Sequence, residues 1–158
     1  MIAFESIGTI HSPYSDLAGM PIQPAGAVGV RGQVEVLPEY VDGLQDLDGF
    51  SHIILLYAFH RSSGFDLKVV PFLDSSPRGV FATRAPRRPN PLGMSVVRLE
   101  RIDGAVIHIL DVDVLDGTPL LDIKPYVPHF DSRGQVQIGW LKEQSHEVEE
   151  RRSDSRFR

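Results

Sequence analysis

The sequence predicts a mainly β fold: a single antiparallel β-barrel domain with short peripheral helices. Three observations carry this expectation. Several short runs alternate apolar and polar residues with period two, turn residues fall between them at similar intervals, and helical periodicity is scarce. At 158 residues the chain is long enough for one hydrophobic core and too short for two ordinary ones. No internal repeat or second-domain boundary is visible.

In chain order, Ile2, Phe4, Ile7 and Ile10 are irregularly spaced, which predicts a first strand over 2–11 with a bulge or bend near Gly8. Ser12 to Gly26 is a Pro- and Gly-rich loop of a length that tends to be functional or mobile. Residues 28–36 give the clearest strand, Val28, Val30, Val34 and Val36 alternating with Gly29, Arg31, Gln33 and Glu35. Pro38 opens a short helix with apolar positions Val41, Leu44 and Leu47. Phe50 to Phe59 is almost continuously apolar and predicts a strand buried on both sides, ending at His60-Arg61. Residues 94–101 and 105–115 read as a hairpin across Asp103-Gly104, with His108 on the more apolar face of the second arm. Val136, Ile138 and Trp140 predict a further alternating strand that closes the sheet. The barrel domain is therefore set at 1–142, and the charged stretch 143–158 reads as a short C-terminal helix and tail.

Composition narrows the chemistry. Hydrophobic residues make up 42% and charged residues 23% of the chain, the balance of a soluble globular protein. No apolar run approaches the roughly 20 residues needed to span a bilayer, and the N-terminus lacks a signal-peptide pattern, so a cytoplasmic location is expected. The chain has no cysteine, which removes disulfides, thiolate metal sites and a cysteine nucleophile. The six histidines form no metal-binding pattern, and no metal is expected. The net charge of −5 argues against a generic nucleic-acid binder, yet four of the sixteen basic residues fall within Arg78–Arg88 and can form a local positive patch. Gly26, Gly29 and Gly32 lie in strand-like sequence, and no Gly-x-Gly-x-x-Gly follows a strand, which excludes a Rossmann methyltransferase.

Two stretches carry the functional signal. In Thr83-Arg84-Ala85-Pro86-Arg87-Arg88-Pro89-Asn90-Pro91-Leu92-Gly93-Met94, the three prolines lack N–H groups and predict a stiff, extended surface arm. A polyproline conformation, with three residues per turn, would align Arg84, Arg87 and Asn90 on one face, as donors for a phosphate, a carboxylate or a base edge. The alternative is a solvated loop. Downstream, Leu115-Asp116-Gly117-Thr118-Pro119-Leu120-Leu121-Asp122-Ile123-Lys124-Pro125-Tyr126 puts a turn dipeptide after a strand-like run, which would expose main-chain amides at a barrel rim.

Together these two blocks resemble the signature of the TsaA-like, or TrmO, family of S-adenosylmethionine-dependent tRNA methyltransferases, over roughly residues 2 to 142. The resemblance implies a non-Rossmann β-barrel that binds S-adenosylmethionine in a cleft between two subunits of a homodimer. It implies methyl delivery to N6 of threonylcarbamoyladenosine at position 37 of tRNA. The cofactor contacts it implies are Gln23, Pro24, Ala25, His60, Arg61, Arg84, Met94, Leu115, Asp116, Gly117, Thr118 and Pro119. His60 is the candidate base because an imidazole titrates near neutrality, with proximity alone as the alternative. Arg87, Arg88, Asn90 and Lys124 are assigned to the tRNA. Longer bacterial members carry an additional C-terminal domain, and the tRNA contacts attributed to that domain are not carried over to this sequence. Two other readings stay open: a barrel that senses S-adenosylmethionine without catalysis, and a methyltransferase with a different RNA or small-molecule acceptor. A single-strand RNA module is disfavoured, because no run of exposed aromatics is present for base stacking.

Overall fold

Strands form where one face of the chain is consistently apolar. In the computed structural model, which describes residues 1–21, 24–142 and 144, the strands are β1 (Gly8–His11), β2 (Arg31–Val36), β3 (His52–Ala58), β4 (Lys68–Val69), β5 (Arg78–Gly79), β6 (Leu92–Asp103), β7 (Val106–Leu110) and β8 (Thr118–Pro125). One short α-helix, α1 (Pro128–Asp131), and several 3-10 turns lie between or after them. Six strands close into an antiparallel barrel in the order β1-β2-β7-β6-β3-β8, with β8 pairing back onto β1. Closure removes exposed sheet edges. The short β4–β5 pair stands outside it.

The barrel interior is filled by Ile10, Val34, Ile53, Leu55, Val97, Ile107, Ile109 and Leu120, all fully buried. Each such aliphatic side chain stabilises the fold by about 1.5–3 kcal/mol relative to exposure. The 3-10 turn Pro38–Leu44 packs Val41 and Leu44 against this core, and Leu47 is buried beside them. A smaller cluster of Val69, Val80 and Ala85, with Phe72 against it, supports the arm outside the barrel.

Several expectations need correction. The first strand is shorter than 2–11: it starts at Gly8, and Ile2 and Phe4 are exposed. β3 is not buried on both faces; Ile53, Leu55 and Tyr57 point inward, while Ile54 and Leu56 on the outer face are half-buried. A closed barrel has only one interior, so its outer face meets solvent unless another layer covers it.

The strand expected over 105–115 stops at Leu110. Asp111 takes a left-handed backbone conformation (φ 70°), held by Arg98, whose Nε and Nη2 donate to its carboxylate at 2.5 and 2.9 Å, and by the Gly29 amide at 2.7 Å. That break reverses which residues face inward. Ile107 and Ile109 are buried before it, Val112 and Val114 after it, and His108 lies on the outer side against Asp103 at 3.0 Å. The hairpin itself stands: Asp103 pairs with Val106 across Gly104-Ala105, with Gly104 at φ 60°.

Val136, Ile138 and Trp140 form no strand. Val136 and Ile138 are exposed, Trp140 sits in a 3-10 turn (Gly139–Lys142), and the β1–β8 ladder closes the barrel instead. The helix expected over 143–158 lies outside the described residues, apart from a turn at Gln144.

Candidate active site

A cavity of about 990 Å³ opens at the end of the barrel where β3 stops and β6 and β8 begin. That is the upper end of the range for small-molecule sites. Its apolar wall includes Leu17, Met20, Phe59, Phe72 and Met94. The long loop after β1 thus reaches over the site, anchored where the Ser12 amide donates to Asp116 Oδ1 and the Asp116 amide donates to the Tyr14 carbonyl.

Half of the twelve residues expected at the cofactor site meet here. His60, Arg61, Arg84, Met94, Leu115 and Thr118 line the cavity. Asp116, Gly117 and Pro119 are not among its lining residues, although Leu115 and Thr118 flank that turn. Gly117 takes φ 80°, the conformation that suits glycine. The amides of Asp116, Gly117 and Thr118 do not point to solvent as the turn chemistry suggested: they donate to the carbonyls of Tyr14, Ile10 and Leu115. Tethering the turn to β1 and the loop uses up those donors. Gln23 lies outside the described residues, and the backbone of Pro24 and Ala25 forms a 3-10 turn with Gly26 and Ala27.

The arm is ordered by its own hydrogen bonds rather than by a continuous polyproline helix. The Arg88 amide donates to the Pro86 carbonyl, and the Leu92 amide to that of Asn90, two tight turns that break the three-residue period. Arg84, Arg88 and Asn90 therefore line the cavity, while Arg87 turns away to Asp66 at 3.3 Å. Arg88 Nη1 donates to the carbonyls of Thr83 and Ala85, which fastens the arm to itself. Trp140 Nε1 donates to the Ala82 carbonyl at 2.9 Å, with the Arg78 guanidinium 5.5 Å from its ring centroid. Lys124 lies near the far end of β8, paired with Asp122 at 2.8 Å.

The electrostatics of the mouth favour a neutral imidazole. Partial desolvation, and then the neighbouring Arg61 cation, hold the His60 pKa below the ordinary histidine value.

Sequence reasoning missed two polar residues that line the cavity, Tyr57 and Asp113, and the serine that links them, Ser95. Tyr57, Ser95 and Asp113 come from β3, from β6 and from the segment after β7, and all three are buried. Ser95 Oγ donates to Asp113 Oδ1 at 2.6 Å and lies 2.8 Å from the Tyr57 hydroxyl. Since the Ser95 proton goes to Asp113, the Tyr57 hydroxyl is the donor in the second bond. Burial raises the Asp113 pKa to about 7, against the lowering effects of Ser95 and Arg84. Burial, and then Asp113, raise that of Tyr57. The available signal was a hydroxyl at Ser95 on the inward face of β6, between Gly93 and Val97, and a carboxylate at Asp113 between two buried valines.

Six antiparallel strands closed on themselves, with a ligand-sized cavity at one rim, define the class of this protein as a small rim-site β-barrel. Comparison with known proteins is more specific: the model of the tRNA-methyltransferase O N-terminal domain matches residues 9–132, and the chain belongs to that family. It is 54% identical over 157 residues to a "Probable S-adenosyl-L-methionine-binding protein" of Pyrococcus abyssi, covering 99% of this chain and 85% of that one. It is 39% identical over 139 residues to the "tRNA (adenine(37)-N6)-methyltransferase" of Escherichia coli, covering 82% of this chain and 59% of that enzyme. A crystal structure of TrmO superimposes with a TM-score of 0.77 at 42% identity, over 88% of this chain and 64% of that one. TrmO from Pseudomonas aeruginosa gives 0.75 at 39% identity, over 89% and 62%. The chain thus spans about three-fifths of the E. coli enzyme and of these TrmO structures.

Proposed function

We propose that this protein is a cytoplasmic, S-adenosylmethionine-dependent methyltransferase that acts as a homodimer on N6 of threonylcarbamoyladenosine at position 37 of tRNA. The observation that carries the reading is convergence: the arginine arm and the Asp-Gly turn, more than twenty residues apart in sequence, border one cavity through Arg84, Leu115 and Thr118. The names of the relatives supply the cofactor and the nucleotide. Among the described residues no helix is long and apolar enough to cross a membrane, and no cluster is suited to a metal ion.

The donor set fits the cofactor. Apolar side chains can enclose an adenosine, and the guanidinium of Arg84 can pair with the methionine carboxylate. Bound there, S-adenosylmethionine supplies an electrophilic methyl group on a sulfonium. Met94 and Phe59 would flank it, and alignment of acceptor and methyl would lower the barrier without a covalent enzyme intermediate. His60, at the mouth and biased to its neutral form, accepts the proton that N6 loses. Gln23, Pro24 and Ala25, with Asp116, Gly117 and Pro119 beside the cavity, complete the cofactor contacts. Arg88 and Asn90 at the mouth, with Arg87 behind them and Lys124 more distant, meet the tRNA. The dimer is supported by Phe81, Leu92 and Met94, which line the cavity yet stay 75%, 48% and 45% exposed. A second copy would cover such an apolar rim.

Incubation with methyl-labelled S-adenosylmethionine and tRNA, with or without the threonylcarbamoyl group, tests the proposal. Label confined to the modified tRNA is the expected result. Cofactor binding with no transfer to any RNA would favour a sensing barrel, the reading nearest to the name of the Pyrococcus relative.

A further inference from the structure

Asp113 is a carboxylate on the wall of a ligand-sized cavity, only 9% exposed, in a place where its charge costs solvation. Among the described residues one side chain donates to it, Ser95, which is in turn supported by Tyr57. This Tyr57–Ser95–Asp113 chain runs in one direction and ends on an acceptor at the cavity. Arg84, on the arm, is within electrostatic reach of both Asp113 and Tyr57. The cavity therefore presents a buried carboxyl group and a guanidinium together.

Given S-adenosylmethionine as the ligand of this cavity, we propose that Asp113 receives the α-ammonium group of its methionine moiety while Arg84 takes the carboxylate, so that the cavity reads a zwitterion. The charge balance selects this ligand group over the ribose hydroxyls. Once Arg84 turns to a ligand carboxylate, a neutral diol would leave Asp113 buried without a compensating cation, whereas an ammonium restores neutrality. Among the described residues, the groups that act on Asp113 are Tyr57 from β3, Ser95 from β6 and Arg84 from the arm; Tyr57 stays protonated near neutral pH. Asp113 is thus the member of the set whose protonation binding can change.

Calorimetry with S-adenosylmethionine and with methylthioadenosine, which keeps the nucleoside but lacks the amino-acid moiety, tests the assignment. Asp113→Asn is expected to weaken S-adenosylmethionine by about tenfold or more, the low end for a charged hydrogen bond, and to leave methylthioadenosine unchanged. Equal losses for both ligands, or no loss, would overturn it. Wild-type protein gives an independent readout should the variant not fold. In buffers of different ionisation enthalpy near pH 6.5, S-adenosylmethionine should release protons as Asp113 ionises, and methylthioadenosine should release none. Release with both ligands or with neither would overturn the ammonium contact. Wild-type protein that binds neither ligand would instead overturn the assignment of the cofactor, and the Asp113 contact with it.

Discussion

The ring of Tyr57 lies directly over Gly93, its partner across the β3–β6 ladder, so closely that a Cβ on that glycine would stand 2.1 Å from Cε2 of the ring. The glycine of the Pro-Leu-Gly-Met stretch is thus explained by packing rather than by a turn. Its bare backbone makes room for the tyrosine that begins the hydrogen-bond chain to Asp113.

Gly93→Ala should therefore displace Tyr57 and lower stability by about 1–3 kcal/mol, the usual cost of overpacking. Urea unfolding checks the stability. S-adenosylmethionine affinity should fall in parallel, because the Asp113 carboxylate loses its support. A variant as stable as wild type would mean that the ring moves at no cost.

Asp113 gives the protein a pH dependence of definite sign. Its folded pKa of about 7 lies above the roughly 3.9 of an unfolded aspartate, so between those values the folded state holds the extra proton. The burial penalty is absent below the unfolded pKa, grows as pH rises, and is complete above the folded pKa. At 1.36 kcal/mol per pH unit it reaches on the order of 4 kcal/mol. Asp113→Asn should accordingly gain stability over wild type from pH 5 to pH 8 in denaturant unfolding of the free protein. A constant difference between the two across that range would show that Asp113 does not titrate there.

His60 should titrate below the ordinary histidine range, chiefly from desolvation and secondarily from Arg61. Arg61→Gln removes the second cause, so the His60 pKa, followed by NMR of the ring protons, should move upward. If His60 is the proton acceptor, the acidic limb of the methyl-transfer pH profile should move the same way.

How legible the molecule was in sequence depended on how local each determinant is. Period-two alternation located β2 and β7, the continuous apolar run β3, and the Asp-Gly turn the β6–β7 hairpin, because each of these signals is written in neighbouring residues. The break at Asp111 was not legible: it depends on Arg98 of the adjacent strand β6 and on the Gly29 amide, contacts distant in sequence, and it decides that His108 faces out and Val112 in. Trp140 looked like a strand residue because its neighbours alternate, yet its indole is engaged by the arm at Ala82. The site was half legible. Arg84 and Thr118 sit in recognisable blocks, whereas Tyr57, Ser95 and Asp113 are single polar residues in apolar runs whose convergence only the closed barrel reveals. The arm's proline spacing suggested one face for Arg84 and Arg87, but the turns at Arg88 and Leu92 divide them between the cavity and Asp66.

Calorimetric titration of S-adenosylmethionine into wild-type protein and into Arg84→Ala tests most directly whether the cofactor lodges where the arm and the turn meet. Saturable binding to wild type and a loss of about 1.5–3 kcal/mol in the variant, the range for a charge-assisted hydrogen bond, are expected. An identical dissociation constant for both proteins would contradict it.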